Sequence, residues 1–158
     1  MNNYQKSIPD EHIFFCENSA VNAILSYFSG QARTFGITYT VSASIPKHIS
    51  ISETDLSILF GNLLENAIDA CNAQSGEDKK IIVRAKTDDH SLCVTIDNTF
   101  SGSLDIDQEG HFVSSKHEGL GLGTESIKSI AEKYGGVCQF EANNGMFYAS
   151  VMCFKDHA

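Results

Sequence analysis

The chain predicts an α+β fold, a two-layer sandwich in which three main helices cover one face of a mixed, mostly antiparallel sheet of about five strands. Three segments space their apolar residues at helical intervals. Five others are shorter and either alternate or are rich in β-branched residues. Two pairs of those strands are joined by short polar connections, as in antiparallel hairpins. Helices gathered on one face of such a sheet are the economical arrangement.

Residues 1–15 begin polar, with Pro9, and end in Ile13-Phe14-Phe15, so they read as a loose end docked by those three side chains. Over 19–33, Val21, Ile24, Leu25, Phe28 and Ala32 keep helical spacing. Residues 37–43 alternate as a strand, which Pro46 ends. Ser52 followed by Asp55 resembles a capping box, and Leu56, Leu59, Phe60, Leu63, Leu64, Ala67 and Cys71 then form one apolar stripe. A polar turn over 72–80 leads to strands at 81–87 and 92–97, connected by Asp88-Asp89-His90-Ser91. The stretch 98–118 has no clear period, and a loop of that length in a compact domain is usually functional. Glycines 119, 121 and 123 lead into a helix over 124–134, which Gly135-Gly136 stops. Strands 137–142 and 146–154 close the chain around Asn143-Asn144-Gly145, a strong hairpin signal.

At 158 residues the sensible reading is one domain, with 1–15 as a tail or linker remnant and 16–158 as the folded unit. The net charge of −9 makes nucleic acid or an anionic membrane a poor partner. It also means that any bound polyphosphate needs a divalent cation, a helix N-terminus or a few cations to offset repulsion. The five cysteines contain no CxxC pair and fit reduced, buried thiols of a cytosolic protein. The dispersed histidines argue against zinc. No signal peptide is evident, and no run approaches the roughly 20 apolar residues of a membrane span.

The chemistry concentrates in three places. On the helix that follows Ser52, Asn62, Asn66 and Asp69 lie within about 60° of one another, flanking the apolar stripe. A carboxamide oxygen can ligate magnesium without adding negative charge beside a triphosphate. In Gly119-Leu120-Gly121-Leu122-Gly123 the glycines remove side chains where backbone amides would approach an anion, while Leu120 and Leu122 anchor the loop. The run is neither a P-loop, lacking GK[ST], nor a Rossmann turn. Asp97 follows Leu92-Cys93-Val94-Thr95-Ile96, and a carboxylate at a strand end can accept the exocyclic amine of adenine. Taken singly, these residues read more simply as surface amides, a common glycine loop and a turn-capping aspartate.

In this order, and on these elements, they resemble the GHKL (Bergerat-fold) ATPase superfamily. Asn62 to Ala70 looks like its N box, Asp97 to Gly102 falls where the first glycine box lies, and Gly119 to Gly123 matches the second. Within it, the chain looks most like the catalytic domain of Agr-type peptide-quorum sensor histidine kinases, and Cys16 to Ala32 resembles the segment preceding that domain. The resemblance implies ATP and Mg2+ as cofactors, with Asn66 as metal ligand and Asn62 as a second ligand or holder of its water. It implies Asp97 on the adenine amine, Thr99 nearby through water, and Asp69 behind the metal ligands. Gly119, Gly121 and Gly123 would cradle phosphates, with Leu120, Leu122 and Thr124 completing the segment and Lys116 the cation on them. Residues 102–118 would form a lid, with His111 and His117 as further contacts.

Two departures stand out. Thr99 and Ser101 replace the usual glycines, and Asn62 stands where hydrolytic members carry a glutamate. An amide takes no proton from water at neutral pH, so free-standing hydrolysis is not expected. The implied function is the catalytic domain of a histidine kinase, transferring the γ-phosphoryl group to a histidine on a dimerisation domain. A response regulator would follow downstream, and the cytoplasmic domain's parent could be membrane-anchored. The alternatives are a free-standing anti-sigma-factor-type serine kinase and a nucleotide-binding module without transfer.

Overall fold

A computed structural model describes residues 13–76, 78–101 and 118–155, with 118–122 as backbone only. In these residues three helices lie against one five-stranded sheet. The chain order is α1 (Ser19–Thr34), β1 (Thr38–Ser44), α2 (Glu53–Asn72), β2 (Lys80–Thr87), β3 (Ser91–Thr99), α3 (Glu118–Lys133), β4 (Val137–Asn143) and β5 (Met146–Phe154). The strands stand side by side as β1-β2-β3-β5-β4. β1 runs parallel to β2 because α2 carries the chain between them, and the other three pairings are antiparallel.

Each element follows from local chemistry. Asn18 caps α1 by accepting from Val21 N at 3.2 Å, while its own Nδ2 donates to Pro46 O at 3.4 Å. Ser52 caps α2 through Asp55 N at 3.1 Å. Asp88 Oδ1 accepts from His90 N at 2.8 Å and Ser91 N at 2.7 Å, which shapes the β2–β3 turn. Asn144 and Gly145 both have positive φ, 51° and 76°, as the tight β4–β5 hairpin requires.

α2 is the middle helix, packed between α1 and α3. Its stripe of Leu56, Leu59, Phe60, Leu63, Leu64 and Ala67 is buried against the sheet row Ile81, Val83, Val94, Ile96, Ala149 and Val151. At roughly 1.5–3 kcal/mol for each fully buried aliphatic or aromatic side chain, this layer is the main source of stability. The opposite sheet face lacks a helical cover among the described residues, and strand residues there alternate outward.

The expected architecture holds, with three differences at element ends. The N-terminal approach docks through Phe15 and Cys16, whose amides donate to Asn22 Oδ1 at 2.7 and 3.3 Å, whereas Ile13 and Phe14 are exposed. β3 continues two residues past Asp97, because Asn98 and Thr99 still pair with Phe147 and Met146 of β5. α3 begins at Glu118, so the glycine run forms its first turns instead of a preceding loop. Residues 1–12, most of the lid segment, and with them Lys116, His111 and His117, lie outside the described residues.

Candidate nucleotide site

The site is built where α2 meets the start of α3. Asn62, Asn66 and Asp69 are half-buried beside the apolar stripe of α2, on its margin as their spacing predicts. Asn62 Nδ2 donates to Ile58 O, one turn earlier, at 2.9 Å. That bond fixes the amide so that Oδ1 is its outward acceptor. Gly123 is buried directly against both amides. A β-carbon there would lie 3.2 Å from Asn66 Oδ1, 3.4 Å from Asn62 Oδ1 and 3.5 Å from Asn66 Nδ2. Glycine at this place therefore lets α3 approach the two carboxamides more closely than another residue would.

The first four N–H groups of a helix lack intrahelical partners. In α3 these belong to the turn opened by Glu118, Gly119, Leu120 and Gly121. Neutral amide oxygens and helix N–H groups thus share one corner. Such donors suit a hydrated magnesium ion and phosphate oxygens together. Thr124, half-buried, follows Gly123 on α3.

The other half of the expected site is arranged differently. Asp97 points to the open face of the sheet, where Oδ2 accepts from Arg84 Nη1 at 3.1 Å, and it is not gathered with Asn62 and Asn66. The pleat is the cause. Leu92, Val94 and Ile96 face the helices, so Asp97 cannot. Asn98, 2% exposed, takes the inward position after Ile96. Thr99 Oγ1 accepts from Lys80 N at 3.0 Å and lies 3.7 Å from Cys71 Sγ, which ties it into the sheet margin below α2. The inward place of Asn98 was not among the sequence expectations. The alternation of Leu92, Val94 and Ile96 was the available signal.

A cation-supported link holds the far ends of the same two helices. Asp55, in the first turn of α2, accepts from Lys133 Nζ at 2.8 Å and from the Tyr134 hydroxyl. The Lys133 bond, followed by that of Tyr134, holds its carboxyl below the usual carboxylate range.

Comparison with known proteins bears on the family and the fold. The GHKL domain family matches residues 51–153, from the residue before the N-cap of α2 to the penultimate residue of β5. The chain belongs to the GHKL domain family. In sequence, it is 25% identical over 138 residues to a probable C4-dicarboxylate sensor kinase of Bacillus subtilis (strain 168), covering 82% of this chain. The chain spans only 25% of that relative's length. In fold, it is similar to the catalytic domain of histidine kinase ThkA, with TM-score 0.70, 21% identity, and coverage of 87% of this chain and 91% of that one. The mycobacterial sensor histidine kinase MprB gives TM-score 0.64 at 18% identity, covering 88% and 95%. The architecture of this GHKL domain is thus that of histidine kinase catalytic domains.

Proposed function

We propose that this GHKL domain is the ATP-binding catalytic domain of a sensor histidine kinase, acting on a histidine carried by a dimerisation domain. The observation that carries this is the packing of Gly123 against the Asn62 and Asn66 carboxamides. It supports the reading because two neutral amides that suit a metal ion lie against the helix whose N-terminal turn suits an anion.

Asn66 and Asn62 would hold Mg2+, which neutralises charge on the β- and γ-phosphates when bound. The N–H groups at the start of α3, through Gly119 and Gly121, receive phosphate oxygens, and Lys116 supplies the nearby positive charge. Asp69, one turn from Asn66 on α2, supports the ligands from behind, and Thr124 extends the phosphate end. Residues 102–118 serve as the lid. Asn62, at the place where hydrolytic members carry a glutamate, is an amide and takes no proton from water, so the phosphoryl group is kept for an external acceptor.

The upstream stretch Cys16-Glu17-Asn18, with non-glycine residues at 99 and 101, supports assignment to the Agr-type branch. In that reading, residues 1–15 are the remnant of a linker from the dimerisation helices of a larger, membrane-anchored parent, and this domain works on the cytoplasmic side. A response regulator is the downstream partner. ThkA has been solved in complex with the response regulator protein TrrA.

The test is transfer in trans. The chain is mixed with labelled ATP, Mg2+ and a separately produced dimerisation domain of its parent. Acid-labile phosphohistidine on that domain is the expected result. Label retained on a histidine of this chain alone, or recovered on a serine of a partner, would refute the assignment.

A further inference from the structure

β1 stands at one edge of the sheet, and its sequence does little to close that edge. Among the described residues no strand lies beyond it. Its pairing with β2 runs unbroken from Thr38↔Lys80 to Ser44↔Lys86, so no bulge twists it away. Thr38-Tyr39-Thr40-Val41-Ser42-Ala43-Ser44 carries neither charge nor proline, the side chains that commonly guard an edge strand. β4, at the other edge, carries Glu141 on its exposed row.

Thr38 N donates across to Lys79 O at 2.9 Å, and main-chain groups alternate sides along a strand. The N–H and C=O groups of Tyr39, Val41 and Ala43 therefore point away from β2, to the open side. The side chains of these three are half-buried toward the helices, while Thr38, Thr40, Ser42 and Ser44 are exposed on the other face.

The surroundings of this edge specify its partner. β1 and β2 contain no acidic residue, and Lys80, Arg84 and Lys86 of β2 are exposed on the open face. They stand opposite Thr38, Ser42 and Ser44, whose short side chains do not block a reach across β1. Arg84 contacts Asp97 of β3, yet its side chain is 59% exposed. A strand added outside β1 would lie about 10 Å from β2, two strand spacings, within the joint reach of a glutamate and a lysine. Near the Ser44 end, a groove of about 430 Å³ is lined by Phe14 and Phe15 together with Ala43 and Ser44. Phe14 is largely exposed there.

We propose that β1 is a docking edge for an extended acidic segment of a partner protein, which joins the five-stranded sheet as one more strand. Main-chain hydrogen bonds to Tyr39, Val41 and Ala43 hold the segment, and its side chains set specificity. Acidic residues at alternate positions meet Lys80, Arg84 and Lys86 on the open face. Apolar residues between them turn to the helical side, beside Phe14 and Phe15. A second copy of this chain fits less well. It sets another Arg84 and Lys86 beside the first, and two chains of net charge −9 repel.

The test is fluorescence anisotropy of the whole chain, without nucleotide, against a labelled peptide alternating glutamate with valine and long enough to span β1. Saturable binding below about 1 mM is expected, weakening about tenfold between 0.05 M and 0.5 M salt. The same peptide N-methylated on the alternate amides that face β1 should bind at least about tenfold more weakly. Lys86→Glu, at an exposed position, should weaken binding by about fivefold. Ala43→Pro removes an outward N–H that β2 does not use, and should match the N-methylated peptide. Thermal melts confirm that each variant is folded; if Ala43→Pro is not, the N-methylated peptide reads the same bonds.

Absence of saturable binding up to about 1 mM would overturn the proposal. So would binding that ignores both N-methylation and Lys86→Glu. Sedimentation of the chain alone provides the remaining outcome: a dimer that Lys86→Glu strengthens and Ala43→Pro abolishes would give the edge to a second copy instead.

Discussion

Gly123 is packed so tightly against Asn66 that a β-carbon on it would stand 3.2 Å from Asn66 Oδ1. Its place in α3 otherwise favours alanine, which is more stable in a helix interior by roughly 1 kcal/mol. Gly123→Ala therefore separates stability from binding. The melting temperature should hold or rise slightly, while the displaced Asn66 and Asn62 amides weaken magnesium-ATP binding by about tenfold. Paired melts and titrations check this. A variant that loses stability and keeps its affinity would contradict it.

Gly136 is constrained by backbone instead of side chains. It follows Gly135, whose φ of 68° ends α3, and a β-carbon on it would lie 1.7 Å from Met152 O of β5. No rotamer change relieves a clash with a main-chain carbonyl. Gly136→Ala should cost roughly 2–4 kcal/mol, read from the urea midpoint. A midpoint equal to wild type would show that β4 can shift freely against β5.

Acid should act on the junction of α2 and α3. Asp55 has its carboxyl held low by Lys133 and then Tyr134, so its folded value lies below the unfolded value of about 3.9. Its contribution is complete above the unfolded value and is lost as pH falls through the folded one. Asp55→Asn should lower stability at pH 7 by roughly 1–2 kcal/mol and flatten the loss of stability below pH 4. Urea melts from pH 3 to pH 7 measure both.

Thiol chemistry should divide the cysteines by burial. Burial raises Cys16 and Cys71, and pushes Cys153 up to about 11, with the Asp55 charge a lesser cause. At pH 7.5 these three should alkylate slowly in the native protein, because the thiolate is the reactive form. Cys93, half-buried on the open sheet face, should be modified first. Mass spectrometry after brief iodoacetamide treatment identifies the sites, and early modification of Cys153 would contradict the packing described.

Much of this architecture is written in periodicity. The stripe from Leu56 to Cys71 and the Asn143-Asn144-Gly145 turn place α2 and the β4–β5 hairpin within a residue or two. The margin position of Asn62 and Asn66 follows from the same stripe. What local chemistry could not disclose was that Gly119, Gly121 and Gly123 are helical. Their poor propensity reads as loop, and only at Gly123 is a reason for glycine visible, the close approach of Asn62 and Asn66. The facing of Asp97 was legible in principle, since Leu92, Val94 and Ile96 set the inward parity.

The claim at the centre is that Asn66, beside Gly123, couples nucleotide uptake to a divalent cation. Titration of ATP into wild type and Asn66→Ala, with and without Mg2+, tests it most directly. The account predicts wild-type binding that strengthens at least about tenfold with Mg2+, and an Asn66→Ala variant that stays folded but loses that gain. Equal magnesium dependence in the two proteins would contradict it.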